Sequence, residues 1–290
     1  MKFKLNGFEK FIIGHKTFTK MLLLAVYFVL VFITTIAELP FSFVNLYFIL
    51  FFLLGICINV YPNIKGNQLL KIHNEDMDMI SFLDGTNQMI VALNPKDIPF
   101  VSQFCNNRIT ALYNIGEYDI AENEIRMFWQ SFDLRKVPVP TLVSTHISMA
   151  MHAISNHDEK AYNEQMRIIE HYRQRSQKKI LVRNGIDYAI RNLQFYADAK
   201  MVTKNVEIPY YEENVLAHLK TNPINNKPRK KEPSKLETFS AYCKLFIYYK
   251  NTENTSKATY YAQQLINIGN EQLAAYRKAK EYLENGNSSN

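Results

Sequence analysis

Residues 21–37 form an unbroken run of seventeen apolar or near-apolar side chains, and residues 41–60 add twenty more. Only Glu38, Leu39 and Pro40 separate the two runs, and no other charge falls in the stretch. At a rise of about 1.5 Å per residue the runs make helices of about 26 and 30 Å, close to the hydrocarbon thickness of a bilayer. The core hairpin of a soluble domain seldom needs two consecutive runs this long. The stretch therefore reads as a transmembrane helical hairpin.

Residues 1–20 are basic, with Lys2, Lys4, Lys10, Lys16 and Lys20 against Glu9. The run that follows is longer than the apolar part of a secretory signal and ends in Glu-Leu-Pro rather than a small-residue cleavage site, so it is expected to stay as an anchor. Lysines before the first span, and none at the hairpin tip, place the basic side in the cytoplasm. Lys65 and Lys71 follow the second span, so both termini are expected to be cytoplasmic. Asn45 and Asn59 in the second span are expected to hydrogen-bond the partner helix. Heavy use of Asn, Lys, Ile, Tyr and Phe points to an AT-rich genome and a bacterial plasma membrane.

The net charge of +7 suggests nucleic-acid binding until it is apportioned. Residues before the first span carry +4, Glu38 carries −1, and the remaining +4 is matched by Lys227, Arg229, Lys230, Lys231 and Lys235 against Glu232. The rest of the chain is near neutral, which argues against a nucleic-acid face. Residues 221–234, with Pro223, Pro228 and Pro233, read as a flexible basic loop, solvated or touching anionic lipid or a partner. Cys57, Cys105 and Cys243 have no paired spacing, which fits a reducing compartment.

Between Asn67 and Leu93 the acids read as an exposed helix face, with turns at Asp84-Gly85 and Asn94-Pro95. From Val101 a helical repeat emerges. Val101, Cys105, Ile109 and Leu112 make one stripe; Gly116 breaks it, and Ala121, Ile125 and Phe128 begin another. Val143, Ile147, Met151 and Ile154 repeat the stepping, a turn follows at 156–158, and Ala161 and Ile168 come after. Phe239, Cys243 and Phe246, then Ala258, Ala262 and Leu265, form a third echo. Ala121 and Ala161 are placed at close helix crossings, and Ala275 on the outer face of the last helix. The segment Ala111 to Ala121, with Gly116, Tyr118 and Ala121 in a Gly-x-Tyr-x-x-Ala turn, resembles the tetratricopeptide repeat family. Asn156 and Asp158 replace Gly and Tyr in the second repeat, the period is about forty rather than about thirty-four, and the family's early tryptophan-leucine-glycine signature is absent.

The expected architecture is all-α: the hairpin (about 21–37 and 41–60), then a soluble α-solenoid of TPR-like helical hairpins over 67–284, then a disordered tail at 285–290. No residue stands out as catalytic, cofactor-binding or metal-ligating. His146, His152 and His157 do not converge on a helix, Glu170-His171 and Ser144 with His146 are unspecific, and Cys105, Cys243 and Trp129 sit at packing positions. Stacked helical hairpins bind by complementarity. The favoured function is a non-catalytic, membrane-anchored cytoplasmic adaptor for a protein or peptide partner. A small subunit of an exporter or immunity complex, with structural repeats, is the alternative; a membrane-associated enzyme is third.

Overall fold

The computed structural model describes residues 3–204 and 206–287. Among these the chain is helical without strands, in thirteen α-helices and one π-helical turn. Two helices, α2 (Lys16–Ile36) and α3 (Ser42–Lys71), are long and apolar enough to cross a membrane, and their apolar windows are only 6% buried.

The N-terminal segment is structure rather than a basic tail. Asn6 and Glu9 form a reciprocal capping box that starts α1 (Gly7–Gly14), while Phe3, Leu5 and Ile13 are buried in the main core. Lysines mask this apolar set in the sequence. Helix α2 therefore begins earlier than the apolar run, at Lys16, whose ammonium reaches Asp97 at 2.8 Å and lies over the Phe100 ring.

Helix α3 does not end at Tyr61-Pro62 but runs through Pro62 to Lys71 and passes into a π-helical turn (Ile72–Asp76). An internal proline forfeits one backbone bond and costs about 3 kcal/mol. Burial of Ile58, Leu69 and Ile72, together with Glu9 held by Lys65 Nζ at 2.6 Å and Tyr61 Oη at 2.5 Å, offsets that cost. Asn59 bonds its own helix, Nδ2 to Gly55 O at 3.0 Å, rather than its neighbour.

Helix α4 (Met79–Ala92) runs straight through Asp84-Gly85, where a turn was expected, and buries Met79, Phe82 and Met89. Gly85 serves packing. A Cβ there would lie 2.3 Å from Leu69 Cδ2 and 2.9 Å from Phe3 Cδ1.

Helical hairpins follow: α5 (Ile98–Ile115) with α6 (Tyr118–Ser131), α7 (Val139–Ser155) with α8 (Glu159–Arg175), then α9 (Ile180–Met201) with the short α10 (Tyr211–Leu219) after it. Helices α11 (Lys235–Asn251), α12 (Thr255–Ile268) and α13 (Ala274–Asn287) complete the chain. Gly116 takes φ +86° at the α5–α6 turn, the left-handed conformation that glycine tolerates. Part of the expected tail, through Asn287, belongs to α13; the remainder lies outside the described residues.

Helices α5, α7, α9 and α11 run parallel. Asn106 of α5 bonds Ser144 and Thr145 of α7, and Tyr113 stacks near His152 further along the same pair. Antiparallel pairing of α7 with α8 (His146 to Gln165) and of α8 with α9 (Arg173 to Asp187) brings α9 back parallel to α7. Arg229, just before α11, reaches Tyr188 of α9, and Asn251 at the far end of α11 reaches Ala199. All four helices point away from the apolar hairpin, because Lys16 meets Asp97, Gly66 faces Phe104, and His73 lies 3.5 Å from Asn114.

The array does not stay open. Asn270 Nδ2 donates to Met77 O at 3.0 Å, Gln272 Nε2 to Asp78 at 3.2 Å, and Arg277 to Ile115 O at 2.7 Å, so the last helices close onto the first. Helix α13 packs on both α12 and α5. The described helices thus form a ring around a central cavity rather than an open solenoid.

Ala121, Ala258 and Ala262 are fully buried at helix crossings, whereas Ala161 is only half-buried. In α8 the fully buried residue is Ile169, one position after the expected Ile168. Ala275 packs against the core and lines the cavity, because ring closure turns that face of α13 inward.

In melts of the detergent-solubilised full chain, Ala121→Leu and Ala262→Leu are each expected to lose about 1–3 kcal/mol, and Ala161→Leu less. Gly85→Ala poses a sharper choice. Helix propensity alone would favour alanine by about 1 kcal/mol, but the buried Leu69 and Phe3 have no room to retreat, so net destabilisation is expected. A stabilised Gly85→Ala protein would contradict this packing.

Candidate functional site

The ring forms an open-mouthed cavity of about 760 Å³, lined from α5, α6, α7, α9, α10, α11 and α13. That volume lies within the roughly 300–1,000 Å³ of ligand sites. Its walls are aromatic. Tyr113 and Tyr118 cluster around His152 with ring centroids 5.8–6.0 Å apart. Across the cavity Tyr188 stacks on His218 at 4.0 Å, and Tyr196 Oη meets Ser155 Oγ at 2.8 Å.

Four lysines, Lys200, Lys244, Lys250 and Lys278, also line it, against two acids. One of these, Glu237, is already bound by Arg229 through Nη1 at 2.9 Å and Nη2 at 2.6 Å. The other is Glu281, on exposed surface of α13. Among the described residues none of the four lysines makes an ion pair. Lys200 lies 6.0 Å from the Tyr196 ring and Lys250 lies 5.9 Å from that of Tyr282.

Lys244 is the most constrained of them. It is 4% exposed, and its ammonium donates to Ser240 O at 3.1 Å and Ser240 Oγ at 2.9 Å. Burial pulls its pKa down to about 8. Burial also lowers that of Lys200, and repulsion from Lys278 and Lys250 adds to the effect. The cavity therefore gathers four lysines that form no ion pair among the described residues, on a bed of aromatic rings. Chemically it can receive an anionic group with an apolar or aromatic neighbour.

This site was not legible as a motif, because its lysines come from three helices far apart in the sequence. The sequence-nominated basic segment lies elsewhere. Residues 221–234 are folded back by Asn222 N to Lys227 O and Arg229 N to Lys220 O, with an isolated antiparallel bridge between Thr221 and Pro228. Arg229 is tied to Glu237, Tyr188 and Thr221 O, whereas Lys227, Lys230, Lys231 and Lys235 are exposed.

The histidines separate as well. His146 bonds Gln165 at 2.7 Å and stacks on Trp129, His152 faces Glu122 at 2.7 Å, and His157 sits in the turn at φ 57°. Trp129 packs against Phe128 and His146, away from the cavity lining. Ser144 bonds Asn106, and Glu170 bonds Arg173 at 3.0 Å. Burial pushes the Cys105 thiol up to about 11 and raises that of Cys243, opposite to the shift a nucleophile needs.

Fold and cavity together define an all-helical protein, over the described residues, with two apolar N-terminal helices and a lysine- and tyrosine-lined pocket. The chain matches no known protein family, no curated protein and no solved structure.

Two consequences can be measured. Lys244→Met should raise stability by about 1–2 kcal/mol at neutral pH, since it removes a desolvated charge that has no carboxylate partner. Melts of the full chain in detergent test this, and a destabilised variant would contradict it. The second concerns acid. Burial, followed by repulsion from Arg191, Lys244 and Arg229, holds His218 at a pKa of about 4, and burial also lowers His73 and His146. The unfolded chain then binds more protons as pH falls below about 6.5, so stability declines from there toward pH 4. Tm is expected to fall between pH 7 and 5, and His218→Gln to flatten that slope; an unchanged slope would contradict the assignment.

Proposed function

We propose that this chain is a non-catalytic binding protein of the bacterial plasma membrane, anchored by α2 and α3. On this reading its cytoplasmic helical domain takes an acidic segment of a protein or peptide partner into the central cavity. The observation that carries the reading is the buried Lys244 beside Lys200, Lys250 and Lys278, in a pocket rich in tyrosine. A buried ammonium without a carboxylate destabilises a fold, and an incoming anionic group would relieve it. The aromatic walls suit the apolar side chains flanking such a group. Helical hairpins of tetratricopeptide type, closed into a ring, would form the scaffold.

The anchor reading rests on the near-complete exposure of both apolar helices, since bulky side chains such as Phe28, Phe32, Phe48 and Phe52 face outward. The lysines before the first span orient both termini toward the cytoplasm. Reporter fusions at the two ends check that orientation, and an extracytoplasmic C-terminus would overturn it.

For the cavity, the probes are fluorescein-labelled hexapeptides, one combining Asp, Glu and Phe and one with Lys in place of the acids, titrated onto the detergent-solubilised full chain. The acidic peptide is expected to bind more tightly, with Lys200→Glu and Lys278→Glu each weakening it about tenfold, or about 1.4 kcal/mol. Equal affinity for both peptides, or no effect of either charge reversal, would contradict the proposal.

A further inference from the structure

The end of the ring that faces the hairpin carries a second surface. Helices α5, α7, α9 and α11 all start at this end, because Lys16 at the foot of α2 meets Asp97 while α3 descends past Phe104 toward Asn114. The connections that precede α7, α9 and α11 are therefore displayed there together.

Each of those connections pairs an exposed apolar side chain with exposed lysine. Before α7, Leu134 stands beside Lys136. At the start of α9, Ile180 and Leu181 are 68% and 65% exposed, immediately after Lys178 and Lys179. Before α11, Ile224 is 54% exposed, close to Lys227. Asn184 Nδ2 donates to Ile224 O at 2.8 Å, which fixes that loop against the start of α9 and merges the last two clusters into one patch.

Soluble domains seldom present leucine and isoleucine this openly at three successive loop tips. Lysine at a helix start also runs against the helix dipole, which favours negative charge at that end. Both costs reverse when an anionic apolar–polar boundary lies opposite: the lysines and dipoles meet negative charge, and the apolar tips enter the headgroup layer.

We infer that this end of the ring docks on the anionic cytoplasmic leaflet through Leu134, Ile180, Leu181 and Ile224, flanked by their neighbouring lysines. The inference rests on the reading that α2 and α3 span the membrane. The hairpin delivers the domain to the bilayer, and the loop tips hold its orientation, leaving the cavity at a fixed attitude to the surface. Lys227, nominated from sequence as part of a basic run, takes its place in this patch; Arg229 does not, being committed to Glu237.

The test uses the full chain in nanodiscs of acyl-brominated phosphatidylcholine, with or without equally brominated phosphatidylglycerol. The single tryptophan is removed by Trp129→Phe. Leu181→Trp then reports the patch and Phe48→Trp reports the hairpin. Phe48→Trp is expected to be quenched in both lipids. Leu181→Trp should lose most of its fluorescence only with phosphatidylglycerol present, and recover it on Lys178→Glu/Lys179→Glu or at high salt. Quenching at Phe48→Trp without any at Leu181→Trp would overturn the docking and leave the spanning reading intact. Equal quenching of Leu181→Trp in both lipids would overturn the anionic preference, and an unquenched Phe48→Trp would overturn both readings.

Discussion

Helix α3 runs from the exposed apolar hairpin into the packed helical domain without a break. Its first half is exposed and apolar, and its second half, past Pro62, is packed into the helical domain through Gly66, Leu69 and the π-helical turn. The Glu9 carboxylate, held by Lys65 and Tyr61, ties the N-terminal helix to the same point. Lys65 lowers the pKa of Glu9 to about 2, assisted by Tyr61, so this tie persists throughout the neutral range. A chain that leaves an apolar hairpin through a floppy linker could face any direction; this one cannot. The parallel run of α5, α7, α9 and α11 inherits its direction from that one helix.

Ring closure then decides what the domain can do. Stacked hairpins that remain open offer a long shallow surface, whereas contacts from Asn270 and Gln272 to Met77 and Asp78 bring the same elements around a pocket. Lys244, buried on α11, is costly because it is removed from water without a carboxylate partner among the described residues. A fold optimised for stability alone would place methionine or leucine there. The buried Lys244 ammonium is the observation on which the proposed ligand reading rests.

The sequence made the helical character and the apolar hairpin legible, because both are written in local periodicity. Val101, Ile109, Leu112, Ala121, Ile125 and Phe128 are buried as their spacing requires and Cys105 partly so, whereas in the next stripe only Val143 and Ile154 are buried, Ile147 is half-buried and Met151 is exposed at the cavity. Where local signals misled, a distant partner was responsible. Gly85 looked like a turn residue, but its missing side chain admits Leu69 and Phe3; the second apolar run stops at Val60, but long-range packing carries α3 on through Pro62 to Lys71. Phe3, Leu5 and Ile13 were hidden among lysines. The cavity was invisible for the same reason on a larger scale, since Asp78 and Gln272 meet across most of the chain.

Helix α3 joins the hairpin to the ring as one continuous helix. Hydrogen–deuterium exchange of the full chain in nanodiscs tests it most directly. Amides of residues 64–71 are expected to be protected to the level of Ile109 to Leu112 in α5, because both belong to one cooperative unit. Fast exchange across 61–71 beside a protected α5 would show a flexible joint there, and would contradict the fixed attitude of the ring on which the account depends.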